Sequence, residues 1–244
     1  KIPHEELSYG ANRLQLETEA NYLFNQTKVL CMVLTTSRNR SRALLNTWTK
    51  HCNEVGFYAK FSDAKHNNKL TKIELLDESL FSPRTFCRAF VNLISSQTDF
   101  DWLLVTGDRT YAIVENLRHY LSPANASIPY YIGRPVHHYF LGLYNAFDSG
   151  IVLSKAAVNL LANGVFRANE ACVDINTSGV IYSGSFDAFV GMELAKHGLR
   201  PTNSLEVREE KRRTGTRFHP FMPEKHIVPE LISVFDSYWS SNVL

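Results

Sequence analysis

Two short polar stretches stand where a ligand could be held. Thr35-Thr36-Ser37 follows the apolar run Val29–Leu34, and Gly107-Asp108-Arg109 follows the run that starts at Trp102. Apolar runs of this length read as buried strands, and α/β sheets hold their ligands beyond the carboxyl ends of strands. The groups on offer there are hydroxyl, carboxylate and guanidinium, although a lone Arg109 reads equally as a solvated loop residue. A further carboxyl group is Asp187, at the start of a helix, where it reads as a partner of the positive helix terminus. His137-His138 reads as a surface loop pair, and His219 as a hydrogen-bonded core or pocket histidine. The four cysteines contain no C-x-x-C spacing, so a zinc site is not expected. Glu209-Glu210 followed by Lys211-Arg212-Arg213 reads as a solvated loop or the rim of a partner surface.

The elements that must position these groups alternate in type. Strands are expected at Val29–Leu34, Val55–Ala59, Trp102–Val105, Tyr130–Ile132 and Ile151–Leu153. Between them, a helix opens in the basic stretch Arg38–Arg42 and turns Leu44, Leu45 and Trp48 inward. A second helix starts at Pro83 with Phe86, Phe90 and Leu93 at the 3.6 period. Further helices are expected from about Thr110 to Leu121, from a Ser154 cap to Asn163-Gly164, and from Phe186 to His197. Lys60–Lys72 reads as a polar loop, and residues 1–27 as a stem or capping segment before a single domain over 28–244. Strands alternating with helices predict an α/β fold with a mostly parallel central sheet.

Composition excludes several classes. A chain of 244 residues, 44% hydrophobic and 12% aromatic, can bury a full core and is not a disordered tail. Lys+Arg 26 against Asp+Glu 24 is too balanced for a protein that lives on nucleic-acid phosphates. No run of about 18 apolar residues is present, so any membrane anchor or leader is expected outside these residues. Asn25, Asn39, Asn125 and Asn176 each begin an N-x-[ST] triplet, which points to the secretory pathway and to a compartment that lets cysteines pair.

Beyond these readings, the sequence carries a family resemblance. Asp101–Leu117 resembles the Asp-Trp-Phe-Leu-Lys-Ala-Asp-Asp-Asp-Thr-Tyr segment of the core 1 β1,3-galactosyltransferases of glycosyltransferase family 31. The resemblance extends to Thr47-Trp48 with Cys52-Asn53, Tyr131–Arg134, Gly150–Ser154 and Phe218–Glu224, in one order from Leu30 to about Trp239. It implies a nucleotide-sugar-binding domain of type A in the lumen of the Golgi or endoplasmic reticulum, as the ectodomain of a type II membrane protein. The implied reaction transfers galactose from UDP-galactose to O-linked N-acetylgalactosamine on a glycoprotein, with manganese on the diphosphate. Thr35, Thr36, Asp108 and Arg109 would then form the UDP-sugar site, with Asp187 as base and His219 as a metal ligand. The resemblance also implies a Cys31–Cys52 bridge; Cys172 could pair with Cys87 or stay free.

Departures from the family pattern shift the expectation. Aligned without gaps, the family's three aspartates fall on Gly107, Asp108 and Arg109, and its preceding Lys on Val105. A dication about 4 Å from a guanidinium, at an effective dielectric near 20, meets a repulsion of about 8 kcal/mol. Metal binding is therefore not expected, and Asp108 and His219 alone would not offset that repulsion. The Glu that precedes the family's base is Phe186 here, and Asp148-Ser149-Gly150 replaces Gly-Ala-Gly, so that Phe147-Asp148 would crowd a close approach. Trp48–Cys52, Ala112–Leu117 and Gly150–Ser154 are nearer the family's Cosmc chaperone group, whereas Phe218–Glu224 is nearer the enzymes. The expected function is a non-catalytic chaperone or partner of an active galactosyltransferase, with no cofactor. The alternative is an active transferase in which Arg109 pairs with the diphosphate in place of the metal.

Overall fold

All seven residues of Val29–Thr35 are buried, because this strand lies mid-sheet between two cores. The computed structural model describes residues 13–60, 70–72, 79–97, 99–139, 141–175 and 185–203. In chain order these form α1 (Arg13–Gln26), β1 (Val29–Thr35), α2 (Arg38–Asn46), β2 (Glu54–Ala59), β3 (Leu70–Lys72) and α3 (Pro83–Ser96). Next come β4 (Trp102–Gly107), α4 (Val114–Leu121), β5 (Tyr131–Gly133), β6 (Pro135–His138) and β7 (Gly142–Asn145). The series ends with β8 (Ile151–Ser154), α5 (Lys155–Asn163), α6 (Asn169–Val173), α7 (Phe186–Lys196) and β9 (Thr202–Asn203). Short 3-10 turns form at Trp48–His51 and Phe147–Ser149.

The sheet runs β3-β2-β1-β4-β8-β5-β9, and β6-β7 is a separate hairpin. From β3 to β4 every pairing is parallel; β8 runs antiparallel to both of its neighbours. The α/β class and the largely parallel core therefore stand as expected. Alternate residues of β1 serve opposite faces. Leu30, Met32 and Leu34 pack in one core with Phe86, Phe90 and Phe186, while Val29, Cys31 and Val33 pack in the other with Trp48 and Leu117.

Local chemistry fixes the ends of the helices. Ser37, Ser82 and Ser154 each accept an N–H from the first turn they cap, and Pro83 opens α3 where its missing donor is harmless. The helix expected from Thr110 starts at Val114 instead. Thr110 N–H donates to Gly107 O, and Thr110 O accepts the Trp48 indole at 3.0 Å, so these residues form a turn off β4. Two loop expectations also fail. Leu70–Lys72 pairs with Phe57–Ala59 as an edge strand, and His137-His138 lies in β6, paired with Leu143 and Gly142.

Covalent and steric details tie the layers together. Cys31 pairs with Cys52, as the resemblance implied, and Cys87 with Cys172, which joins α3 to α6. A helical glycine sets the seat of α7: a Cβ on Gly191 would stand 2.4 Å from Tyr144 Cβ and 3.1 Å from its Cα. At the amino ends of the strands Arg118 is 1% exposed and donates to Thr27 O, His51 O and Asn53 Oδ1. Its guanidinium also lies over the Phe24 ring, so α1 is seated on α4. Burial presses this guanidinium down to about 10, with Glu115 opposing the shift.

Candidate functional site

The register of β1 against β4 sets Leu34 beside Gly107, which delivers both polar stretches to one edge of the sheet. Asp108 is buried there. Its Oδ2 accepts from Thr36 N at 2.7 Å and Ser37 N at 3.1 Å, with Thr35 Oγ1 at 3.0 Å and Thr36 Oγ1 at 3.3 Å. Its other oxygen faces Arg40 Nε at 3.1 Å, and Arg40 Nη2 donates to Thr36 Oγ1 at 3.0 Å. The structure thus brings together three of the expected residues, Thr35, Thr36 and Asp108, and adds Arg40. Nothing in the basic stretch Arg38–Arg42 singled out Arg40. The signal is positional: three residues after the Ser37 cap, its side chain turns back toward the strand end.

Arg109 does not join them. It is exposed and makes no hydrogen bond or ion pair among the described residues. Gly107 lies under an aromatic ring, since a Cβ there would stand 3.2 Å from Phe147 Cε1. His219 lies outside the described residues, as do Asn176, Glu209–Arg213 and Phe218–Glu224. Among the described residues no three His, Cys, Asp or Glu side chains gather as a metal group would.

Asp187 occupies a second place. It sits in the first turn of α7, where Ser185 makes no side-chain cap, and its Oδ1 accepts Ala188 N at 2.8 Å. Its Oδ2 accepts Phe147 N at 3.0 Å, so one carboxyl group both caps the helix and holds the Phe147–Ser149 turn. The same turn is fixed from the other side. Arg134 grips both oxygens of Asp148 at 2.6 Å and donates from Nε to Ser149 Oγ at 2.8 Å. Between these anchors an open cleft of about 490 Å³ is lined by Ser79, Phe81, Phe147, Asp148, Ser185 and Asp187, with Ala146 at its base. Two carboxyl groups, two hydroxyls and two aromatic rings make this a surface for a polar, hydroxylated ligand.

Tyrosines back this cleft. Tyr131 is fully buried, its hydroxyl accepts Asn145 N at 2.8 Å, and burial with the nearby Asp187 pushes its pKa far up. Tyr144 is shifted upward by the same two causes. Gly133 is required by proximity, for a Cβ there would stand 2.9 Å from Asn145 Cγ and 3.1 Å from Gly150 O. The stretch Tyr131–Arg134 therefore places β7 and the Phe147–Ser149 turn.

Of the four sequon asparagines, Asn25, Asn39 and Asn125 are exposed; Asn125 Oδ1 accepts Ser127 N in a tight local turn. Among the described residues no helix is long and apolar enough to cross a membrane.

No family model matches the chain. It is 29% identical over 222 residues to the glycoprotein-N-acetylgalactosamine 3-beta-galactosyltransferase 1 of Xenopus laevis. The matched region covers 89% of this chain and 57% of that relative, so the chain spans little more than half the relative's length. The chain is thus similar over most of its length to a β-galactosyltransferase, and its α/β domain with a largely parallel core is consistent with a glycosyltransferase domain.

Proposed function

We propose that this chain is a non-catalytic galactosyltransferase-family protein of mucin-type O-glycosylation. In this reading it acts in the secretory pathway lumen as a chaperone or partner of an active galactosyltransferase, as the Cosmc group does. The observation that carries the reading is the state of the three positions where the family keeps aspartates. Gly107 offers no ligand, Asp108 is engaged by the Thr35–Ser37 loop and Arg40, and Arg109 is a cation. A divalent cation does not fit this set. Its hard oxygen donors are missing on either side of Asp108, and freeing Asp108 would leave two backbone N–H groups without their acceptor and Arg40 without its ion-pair partner. Asp187 has a structural reason to be present, since it caps α7 and holds Phe147.

One observation favours the alternative, an active enzyme that transfers galactose from UDP-galactose to O-linked N-acetylgalactosamine without metal. Asp187 and Asp148 line an open cleft, and Arg109 is exposed near the end of β4. There Arg109 would pair with the diphosphate and Asp187 would take the acceptor's proton.

Calorimetric titration with UDP and UDP-galactose, with and without manganese, separates the two. The non-catalytic reading expects no nucleotide binding in either condition and co-purification with an active family member. Metal-dependent binding at micromolar concentration removes that reading. Binding without metal that disappears in Arg109→Ala establishes the alternative.

A further inference from the structure

Three departures from the family pattern are far apart in the sequence and meet in one place. Gly107 ends β4, Phe147-Asp148 precedes Gly150, and Phe186 opens α7. The Phe147 ring covers Gly107 so closely that a Cβ would stand 3.2 Å from Cε1 and 3.3 Å from Cζ. Backbone shape does not require a glycine at that point, because the positive-φ glycines are Gly142, Gly150 and Gly198. The ring also packs among other aromatic side chains. It lies 5.5 Å from Phe81 and 4.8 Å edge-on from Phe186, which stacks on Phe86 at 4.0 Å. The backbone behind the ring is held by Asp187, and the turn by Arg134 on Asp148.

We propose that Phe147 is an aromatic plug over the end of β4, so that a side chain at position 107 must displace the ring before it can bear a ligand. Gly107 is then the partner of that ring, and regaining a cation-binding carboxylate there without that cost takes two changes in two segments. This rests on the non-catalytic reading of the same site and names the group that enforces it. The ring atoms nearest Gly107 are the outer ones, and a leucine lacks both.

The coupling is measured by thermal melts of the wild type, Gly107→Ala, Phe147→Leu and the double variant. Gly107→Ala is expected to lower Tm by about 3 °C in the wild type and by less than about 1 °C beside Phe147→Leu. Equal shifts in the two backgrounds overturn the proposal. A second arm titrates manganese into Gly107→Asp/Arg109→Asp, with and without Phe147→Leu, by calorimetry and by the manganese paramagnetic signal. The plug predicts at least about ten-fold tighter binding when Phe147 is replaced. Equal affinity in the two proteins, including absence of binding in both, overturns it. Neither arm reads transfer: galactosyl transfer by the wild type would remove the non-catalytic reading and leave the melting cycle to decide the plug.

Discussion

The protein buries Arg118 at the amino ends of its parallel strands and Asp108 at their carboxyl ends, and each collects groups of the opposite polarity. At the amino ends, Arg118 gathers the carbonyls of Thr27 and His51 and the amide oxygen of Asn53. At the carboxyl ends, Asp108 gathers the N–H groups of Thr36 and Ser37, two hydroxyls and Arg40. A buried charge is tolerated only when it is paired and hydrogen-bonded, and both ends meet that demand with loop backbone. No ligand chemistry is invoked for Arg118, and the Asp108 end is built the same way. A surviving aspartate at a strand end is thus accounted for by the loop it holds.

The comparison breaks first if Arg118 proves dispensable. Arg118→Met keeps bulk but leaves the Thr27 and His51 carbonyls without this donor, while Asn53 Oδ1 keeps Val29 N–H, and should lower stability by about 3 kcal/mol in urea unfolding. A loss under about 1 kcal/mol would show that the amino ends do not depend on it. Asp108→Ala should lower stability by about 2 kcal/mol, because the Thr36 and Ser37 N–H groups lose their acceptor and Arg40 its ion-pair partner. If it left stability unchanged and abolished nucleotide binding, the two ends would differ in kind.

Alkali sharpens the contrast with the side chains that carry no charge. Burial raises the pKa values of Tyr58 and Tyr131 well above the usual 10.0, so the native state keeps protons that the unfolded chain gives up. The stability they confer is complete below pH 10 and is lost as pH rises beyond it. Absorbance of tyrosinate should therefore show these two ionising only with unfolding; their titration in the folded protein would contradict their burial. Arg134→Ala has the smallest expected effect, under about 1 kcal/mol, because its pair with Asp148 is partly exposed. Its cleft-specific readout is hydrogen exchange of the Phe147 and Gly150 amides, which should quicken as the turn loosens.

Much of the fold was legible in the sequence because periodicity and caps are local. The apolar run at β1, the Ser154 cap and the Pro83 start all lie where they were expected. What escaped depends on partners distant in the chain. The late start of α4 needs Trp48 to claim Thr110 O, and the short β3 exists because β2 offers an edge. Sequence left Cys87 and Cys172 open, since only the packing of α3 against α6 brings them together. At the site, residue types drew attention to Thr35, Thr36, Asp108 and Asp187. They did not reveal that Asp108 already had protein partners or that Arg40 was among them, although they did mark Phe147 as crowding the site.

Gly191 shows how packing can fix the spacing of two residues on a helix. The spacing Asp187-x-x-x-Gly191 places a carboxyl group at the start of α7 and a bare backbone one turn later, and Tyr144 lies against that bare turn. Replacing the glycine would push β7 off the helix and move the cleft wall with it. The four-residue interval thus records the distance between a strand and a helix, whatever the carboxyl group does besides.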